Sequence, residues 1–324
     1  MRESVVPARR AHEDGARARM LADVRDGLMR GGQKEIPPTY FYDVRGSQLF
    51  DEITRLDEYY PTRAERALLE ECAGQIVQRT SPRSLAELGA GTATKSRVLL
   101  RALVASGPAQ YLPLDVDRDT LAETSAALRL EFPGLDVVPI VADMRDDVTA
   151  TGARHPLLYA FLGSTIGNFE PIPAHDLLVR IRESLRPTDR LLIGMDLVKE
   201  TSVLEAAYND SRGVTAAFNL NVLHVLNREL GANFDVNGFE HRAFYDVQAA
   251  RIEMHLDATR AQQVCIPELG DIHFARGESI RTEISCKYDR ASATAMLKSA
   301  GFRLTDWMTS SHPRVALALA EPVA

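Results

Sequence analysis

The first residues that could do chemistry stand at the ends of three successive apolar runs. Glu87-Leu88-Gly89-Ala90-Gly91-Thr92-Ala93-Thr94 closes the first. Glycines at 89 and 91 let a backbone turn sharply and come close to a ligand with no Cβ in the way. The first βα turn of an open parallel sheet is where nucleotides dock. A dinucleotide fingerprint would place a third glycine at position 94, where this chain has Thr94. That weakens a pyrophosphate ligand, and with it a nicotinamide-dependent oxidoreductase. A nucleoside ligand without phosphates needs only the first two glycines.

Asp115 ends the second run. It sits near the spacing, roughly 20 residues past the glycine turn, at which an acid accepts hydrogen bonds from ribose hydroxyls. Asp117 competes for that role. Asp143-Met144 follows the third run and offers an acceptor for an exocyclic amino group beside an apolar surface for its ring. Each feature has a plainer reading by itself. A glycine pair is often only a turn, and an acid after a strand often caps the next helix. Three of them at three consecutive strand ends favour a nucleoside site.

The elements that would hold these residues follow from apolar periodicity. Runs at 84–89, 110–116, 136–142, 157–163 and 190–197 read as strands, and 93–105, 118–131 and 174–186 as helices between them. Alternation of this kind implies a parallel sheet with right-handed crossovers. Runs apolar on both faces fit strands covered on each side by helices. Before the sheet, 8–32, 46–56 and 62–78 read as helices, with Gly31-Gly32 and Pro37-Pro38 as breaks. After Leu197 the rhythm changes. Residues 199–231 read as helices joined by a loop, and 242–257 and 262–285 alternate like antiparallel strands. A helix at 290–299 and strands at 302–309 and 314–321 close the chain. The expected architecture is α/β: a doubly wound, Rossmann-like sheet over 62–197 and 287–324, with an inserted α+β substrate-binding domain over 198–286 joined by 8–61.

Bulk properties narrow the classes further. With 324 residues, 45% hydrophobic and 26% charged, the chain has the composition of a globular enzyme. A net charge of -7 argues against a nucleic-acid partner. The densest basic cluster, Arg9, Arg10, Arg17 and Arg19, is interrupted by Glu13 and Asp14 and reads as a solvated arm. Cys72, Cys265 and Cys286 are odd in number and far apart, as expected of reduced thiols. His155, His224, His241, His255, His273 and His312 lack ligand spacing, so no metal is expected. No run approaches a membrane span of ~20 apolar residues, and the N-terminus has no apolar signal core. A cytoplasmic monomer is the expectation.

Longer blocks carry a resemblance. They are Pro37-Pro38-Thr39-Tyr40-Phe41-Tyr42-Asp43 with Gly46-Ser47 and Leu49-Phe50-Asp51, Glu58-Tyr59-Tyr60-Pro61-Thr62-Arg63, and Phe161-Leu162-Gly163-Ser164-Thr165-Ile166-Gly167-Asn168-Phe169. Further along come Gly213-Val214-Thr215-Ala216-Ala217-Phe218-Asn219, Arg251-Ile252-Glu253-Met254, and Thr282-Glu283-Ile284-Ser285-Cys286-Lys287. From about Pro37 to the C-terminus the chain resembles the histidine Nα-methyltransferases of the ergothioneine pathway. The resemblance implies a class I methyltransferase fold and S-adenosylmethionine as cofactor, leaving as S-adenosylhomocysteine. It also implies three successive methylations of L-histidine to hercynine.

The resemblance places the cofactor against Tyr42, Gly89, Lys95, Asp115 and Asp143, alongside the Gly91 and Met144 of the turn reading. Relatives carry Phe where this chain has Met144, which still offers a polarizable surface. It places the substrate head group near Asn168 and Tyr208. An amide can both donate and accept, and a phenol can donate to a carboxylate. Read without the family, Asn168 is a turn residue and Tyr208 a half-buried aromatic. Glu283 and Ser285, two apart on a predicted strand, share one face and could grip the two nitrogens of an imidazole. The plain alternative is a solvent-facing pair. Tyr59 is implied as a further imidazole partner and Met254 as packing on the ring. Catalysis is expected to rest on positioning by Tyr42 and Asn168, with Tyr42 accepting a hydrogen bond from the amine or a nearby water. Two rival readings stay open. One is an N-methyltransferase for another aromatic amino acid such as tryptophan, and the other is a non-catalytic partner subunit that only binds S-adenosylmethionine.

Overall fold

A computed structural model describes residues 5–310 and 314–323, with side chains from residue 15 onward. His312 and the side chains of Arg9, Arg10, Glu13 and Asp14 lie outside the described residues. The chain divides into two compact units, Met1–Tyr59 with Glu200–Ser285, and Tyr60–Lys199 with Cys286–Ala324.

The second unit is built on an 8-stranded sheet. Its spatial order is Phe302–Thr309, Val315–Pro322, Arg190–Asp196, Leu157–Phe161, Ser84–Leu88, Gln110–Asp115, Asp136–Val137, with Ile140–Val141 also pairing Gln110–Asp115. The strands from Ser84 to Asp196 pair in parallel. Val315–Pro322 is antiparallel to both of its neighbours, Phe302–Thr309 and Arg190–Asp196. Ser84–Leu88 and Leu157–Phe161 are buried at every position, because helices cover both faces. From Ser84 the chain winds outward to Asp136, then returns to build the other half beside its starting strand. That reversal is the switch point, and its crevice lies at the carboxyl ends of the strands. The doubly wound sheet expected from the sequence is therefore present.

Two local departures have physical causes. The run 136–142 forms two short pairings rather than one strand, because Pro139 between them has no N–H to donate. The helix expected from residue 93 starts at Ser96. Residues 89–95 form a succession of turns instead, with positive φ at Gly89 (69°), Gly91 (48°) and Ala93 (52°).

The first unit holds a 4-stranded sheet ordered Lys34–Glu35, Ser279–Cys286, Arg251–Ala258, Phe239–Asp246. A two-stranded hairpin, Gln262–Ile266 with Gly270–Phe274, stands separately. The two alternating stretches of the sequence thus resolve into five strands, with turns at Ala250, Gly270 and Gly277, all at positive φ. Lys34–Glu35 pairs in parallel with Ile280 and Arg281, tying the N-terminal segment to the insertion. Helices Val44–Ile53, Thr201–Tyr208 and Val214–Leu230 complete the residues that bear on the site.

Candidate active site

In the sheet unit, the turn after Ser84–Leu88 is held by its neighbour strand. Gly89 and Ala90 donate N–H to the Leu114 carbonyl at 2.8 and 3.1 Å. The Asp115 carboxylate then takes the Gly91 N–H on Oδ2 at 2.8 Å and the Asp117 N–H on Oδ1 at 3.1 Å. Each oxygen keeps a further lone pair for a ligand hydroxyl. Asp117 is committed as N-cap of Arg118–Glu131, accepting from the Asp119 and Thr120 N–H groups and the Thr120 hydroxyl.

The cradle fits a nucleoside without phosphates. A Cβ on Gly91 would meet nothing within 4 Å, so the turn opens onto free space, while a Cβ on Gly89 would fall 2.7 Å from the Met144 methyl. Met144 therefore packs against the glycine turn. Its neighbour Asp143 is paired with Arg145, whose Nη2 lies 3.0 Å from Oδ2. Arg180 donates to the Met144 carbonyl at 2.7 Å and to that of Asp146, fixing this loop.

Lys95 meets a carboxylate that sequence reading did not single out. Its Nζ pairs with Glu65, 3% exposed, which also accepts the Gly163 N–H at 2.8 and 2.9 Å. Gly194 makes the room, since a Cβ there would lie 1.7 Å from Glu65 Oε1. Glu65 sits near the start of the helix Pro61–Thr80 and reads as a surface charge. A glycine inside an apolar strand was the available signal. Glu87 is a second buried acid, bonded by the Tyr111 hydroxyl. Burial pushes its carboxyl up to about 7, against the opposing pull of Tyr111 and Lys95.

Asn168 ends the short turn Thr165–Asn168, entered through Gly163 (φ 83°) and Ser164 (φ 56°). Its amide makes no side-chain hydrogen bond among the described residues. Gly167 is needed there, because a Cβ would lie 2.8 Å from the Cys286 carbonyl oxygen.

In the other unit, polar and aromatic side chains gather from four segments. The Tyr208 hydroxyl bonds Ser285 Oγ at 2.8 Å, on the strand that also bears Glu283. The Tyr59 ring stands 6.1 Å from Tyr208, edge to face. Phe50 lies 6.2 Å from Tyr59 and 5.6 Å from Tyr42, and Phe218 lies 5.7 Å from Tyr42. Tyr42 remains 47% exposed, yet its hydroxyl is enclosed enough that burial first, then the nearby Glu283 and Tyr208, raise its pKa far above that of a free phenol. At neutral pH it is an O–H, as an ordinary phenol would be. Met254 is closed off at 1% exposure, its carbonyl accepting the Thr282 hydroxyl at 3.1 Å.

The Tyr42 segment is locked by partners that the sequence did not announce. Asp43 caps Val44–Ile53 through the Gly46 N–H at 2.8 Å, and is itself held by Asn221 at 2.8 Å and Arg228 at 2.9 Å. Gly46 is obligatory, since a Cβ would fall 1.6 Å from the Phe41 carbonyl oxygen. Asp210 gathers the N–H groups of Arg212, Val214 and Thr215, starting the helix that carries Phe218.

Three of these histidines have structural partners. His155 lies 2.9 Å from Asp189, His241 bridges Asn219 and the Tyr208 carbonyl, and His255 pairs with Glu253. Among the described residues, no group of His, Cys, Asp and Glu could hold a metal ion.

Residues 20–322 match the family described as histidine-specific methyltransferase, SAM-dependent. The chain is 43% identical over 309 residues to the histidine N-alpha-methyltransferase of Mycolicibacterium smegmatis, covering 95% of this chain and 96% of that protein. It is 41% identical over 322 residues to the protein of the same name from Mycobacterium tuberculosis, covering 99% of each. Ergothioneine biosynthesis protein 1 of Neurospora crassa is 31% identical over 290 residues, which are 86% of this chain and 32% of that longer protein. The sheet topology, the opened glycine turn with its acids and this full-length similarity agree, and the chain belongs to the S-adenosylmethionine-dependent, histidine-specific methyltransferases.

Proposed function

We propose that this protein methylates the α-amino nitrogen of L-histidine three times, giving hercynine for ergothioneine biosynthesis. The observation that carries the reading is the Tyr208–Ser285 hydrogen bond on the strand that bears Glu283. A hydroxyl pair and a carboxylate together suit an imidazole, which presents one N–H and one lone pair or two N–H groups. Indole offers one donor and no ring acceptor, and a phenyl ring offers neither. Indole could donate to Glu283 but would leave the hydroxyls without a ring acceptor, and a phenyl ring would satisfy neither; polar mismatches of this kind discriminate by ~10⁴-fold.

S-adenosylmethionine, when bound, supplies a methyl group made electrophilic by its sulfonium. The chain's own residues do the rest. Gly89 and Gly91 give backbone access, Asp115 accepts from ribose hydroxyls, and Asp143 accepts from the adenine amino group. Met144 backs the ring, and Lys95, anchored by Glu65, completes the rim. Asn168 and Tyr208 hold the substrate head group, Glu283 and Ser285 the ring, Tyr59 flanks it, and Met254 supports the sheet behind. The attacking amine must be neutral, and Tyr42 cannot take its proton away as phenolate at neutral pH. Tyr42 keeps its O–H and orients the amine or a water, and the proton leaves to solvent. Positioning thus supplies most of the acceleration.

The cofactor role goes to the unit Tyr60–Lys199 with Cys286–Ala324 and the substrate ring to the other unit. A cytoplasmic monomer working without nucleic acid or membrane completes the proposal; the net charge of -7 supports its nucleic-acid part, and no helix among the described residues is long and apolar enough to cross a membrane. Incubation with S-adenosylmethionine and a panel of amino acids, read by mass, tests the reading. Histidine should gain up to three methyl groups and tryptophan none. Preference for tryptophan would overturn it, as would cofactor binding with no methylated product.

A further inference from the structure

The Thr201–Tyr208 helix ends on a carbonyl that needs a donor from elsewhere, because the last turn of a helix leaves its carbonyls without partners inside it. His241 supplies one. Its ring lies with Nε2 2.9 Å from the Tyr208 carbonyl oxygen and Nδ1 2.8 Å from Asn219 Nδ2. Asn219 is fully buried. Its Nδ2 also lies 3.0 Å from the His255 carbonyl oxygen, and its Oδ1 accepts the Thr282 hydroxyl at 2.6 Å. The steps proposed above give neither His241 nor Asn219 a role.

These contacts determine where the protons sit. A carbonyl cannot donate, so the Asn219 atom facing the His255 carbonyl is the amide nitrogen. Its second N–H points at His241 Nδ1, which must then be an acceptor. A neutral imidazole with an acceptor at Nδ1 carries its proton on Nε2. Nε2–H therefore donates to the Tyr208 carbonyl. Burial holds the ring below the ordinary imidazole range, against the pull of the Tyr208 carbonyl and of the Asp210 and Asp257 carboxylates, and so favours this neutral form.

The bonds close a circuit around Tyr208. From its carbonyl they run through His241 on Phe239–Asp246 and Asn219 on Val214–Leu230 to Thr282 on Ser279–Cys286. Three residues further along that strand, Ser285 Oγ meets the Tyr208 hydroxyl at 2.8 Å. Every member lies within Glu200–Ser285, inside one compact unit. Tyr208 is thus held at its backbone and at its ring tip against the strand that bears Glu283.

We propose that His241, fixed by Asn219 as the Nε2–H tautomer, is a positioning residue for substrate binding: it seats the end of the Thr201–Tyr208 helix so that the Tyr208 hydroxyl meets Ser285. The inference rests on the histidine reading above, in which Tyr208 and Ser285 touch the substrate. His241 acts through Tyr208 and touches no substrate atom. Histidine affinity depends on its donor, and cofactor affinity does not.

The test compares wild type, His241→Gln and His241→Asn by steady-state kinetics with histidine, by calorimetry with S-adenosylhomocysteine and by nitrogen NMR of the imidazoles. In wild type at neutral pH, the ring signals that both variants lose should show a bare Nδ1 and a protonated Nε2. Glutamine can bring its amide nitrogen to the Nε2 position and keep the donor, so His241→Gln should hold the KM for histidine within about threefold of wild type. Asparagine keeps an acceptor for Asn219 but is too short to reach the carbonyl, so His241→Asn should raise that KM about tenfold, with kcat within about threefold. S-adenosylhomocysteine affinity should stay within about twofold in both variants. A protonated Nδ1 in wild type would overturn the proposal, as would an unchanged KM in His241→Asn, equal losses in the two variants, or loss of cofactor and histidine affinity in step. If His241→Asn does not fold, Thr282→Val takes its place: it removes the hydroxyl that orients Asn219, keeps the side chain's shape and should raise the same KM by about threefold. An unchanged KM there overturns the proposal equally. Wild-type protein that shows the Nε2–H tautomer but leaves histidine unmethylated counts against the function proposed above, a separate outcome.

Discussion

Around Gly91 the candidate site is made mostly of backbone, and around Tyr208 it is made of side chains. The glycine turn depends on positive φ, on N–H groups tied to Leu114 and Asp115, and on the ends of neighbouring parallel strands. The Tyr208 cluster depends on rings and hydroxyls delivered by four separate segments, each locked by its own partners such as Asp43 with Asn221 and Arg228. A backbone-built site follows from topology and recognises what many ligands share. A side-chain-built site can change its ligand by a few substitutions without disturbing the sheet. The proposed division of labour follows from this contrast: one region holds a common cofactor and the other sets substrate identity.

The contrast predicts different failures. Glu283→Ala should lower kcat/KM for histidine by about 10³- to 10⁴-fold, with less than tenfold change for phenylalanine, because only imidazole needs that carboxylate. Equal losses for the two substrates in a competition assay would erase the distinction between the regions. Asp115→Ala should weaken S-adenosylhomocysteine by about 100-fold in calorimetry, since it removes the proposed ribose acceptors and leaves the Gly91 N–H without its partner. Unchanged affinity would mean that backbone alone suffices.

Legibility in the sequence follows the same line. The sheet and the Gly89, Asp115 and Asp143 positions could be read from periodicity and spacing, because parallel folds repeat the same strand-end geometry. The choice between Asp115 and Asp117 is a local one: Asp115 accepts the Gly91 N–H of the turn and Asp117 the N–H of Asp119. Tyr42, Tyr59, Tyr208 and Ser285 are far apart in sequence, and no local rule joins them; resemblance alone suggested that they act together. Glu65 was invisible for another reason. A charged residue reads as surface unless its buried partner is known, and Lys95 becomes that partner only through the fold.

A smaller effect tests whether the sheet unit's buried charge belongs to structure. Glu87 is 4% exposed, and burial raises its carboxyl from an ordinary 4.5 to about 7. Between those values the folded chain binds more protons than the unfolded one, so this group's contribution to stability falls as pH rises through the window. Glu87→Gln keeps an acceptor for the Tyr111 hydroxyl and removes the charge. Urea unfolding at pH 8 should show a gain of about 1–3 kcal/mol, vanishing near pH 4.5. A gain independent of pH would assign the effect to packing.

The smallest effect separates the two acids at the strand end. Asp117→Ala removes the cap of Arg118–Glu131, leaving the Asp119 and Thr120 N–H groups without that acceptor. Loss of such a cap costs about 1 kcal/mol. Asp115 keeps its bond to Gly91 and, through the backbone of residue 117, its second N–H donor. Urea unfolding should therefore show the modest loss while S-adenosylhomocysteine affinity stays at the wild-type value. The opposite pattern, normal stability with weakened cofactor binding, would assign the proposed ribose contact to Asp117 and place the rim of the site two residues further along the chain.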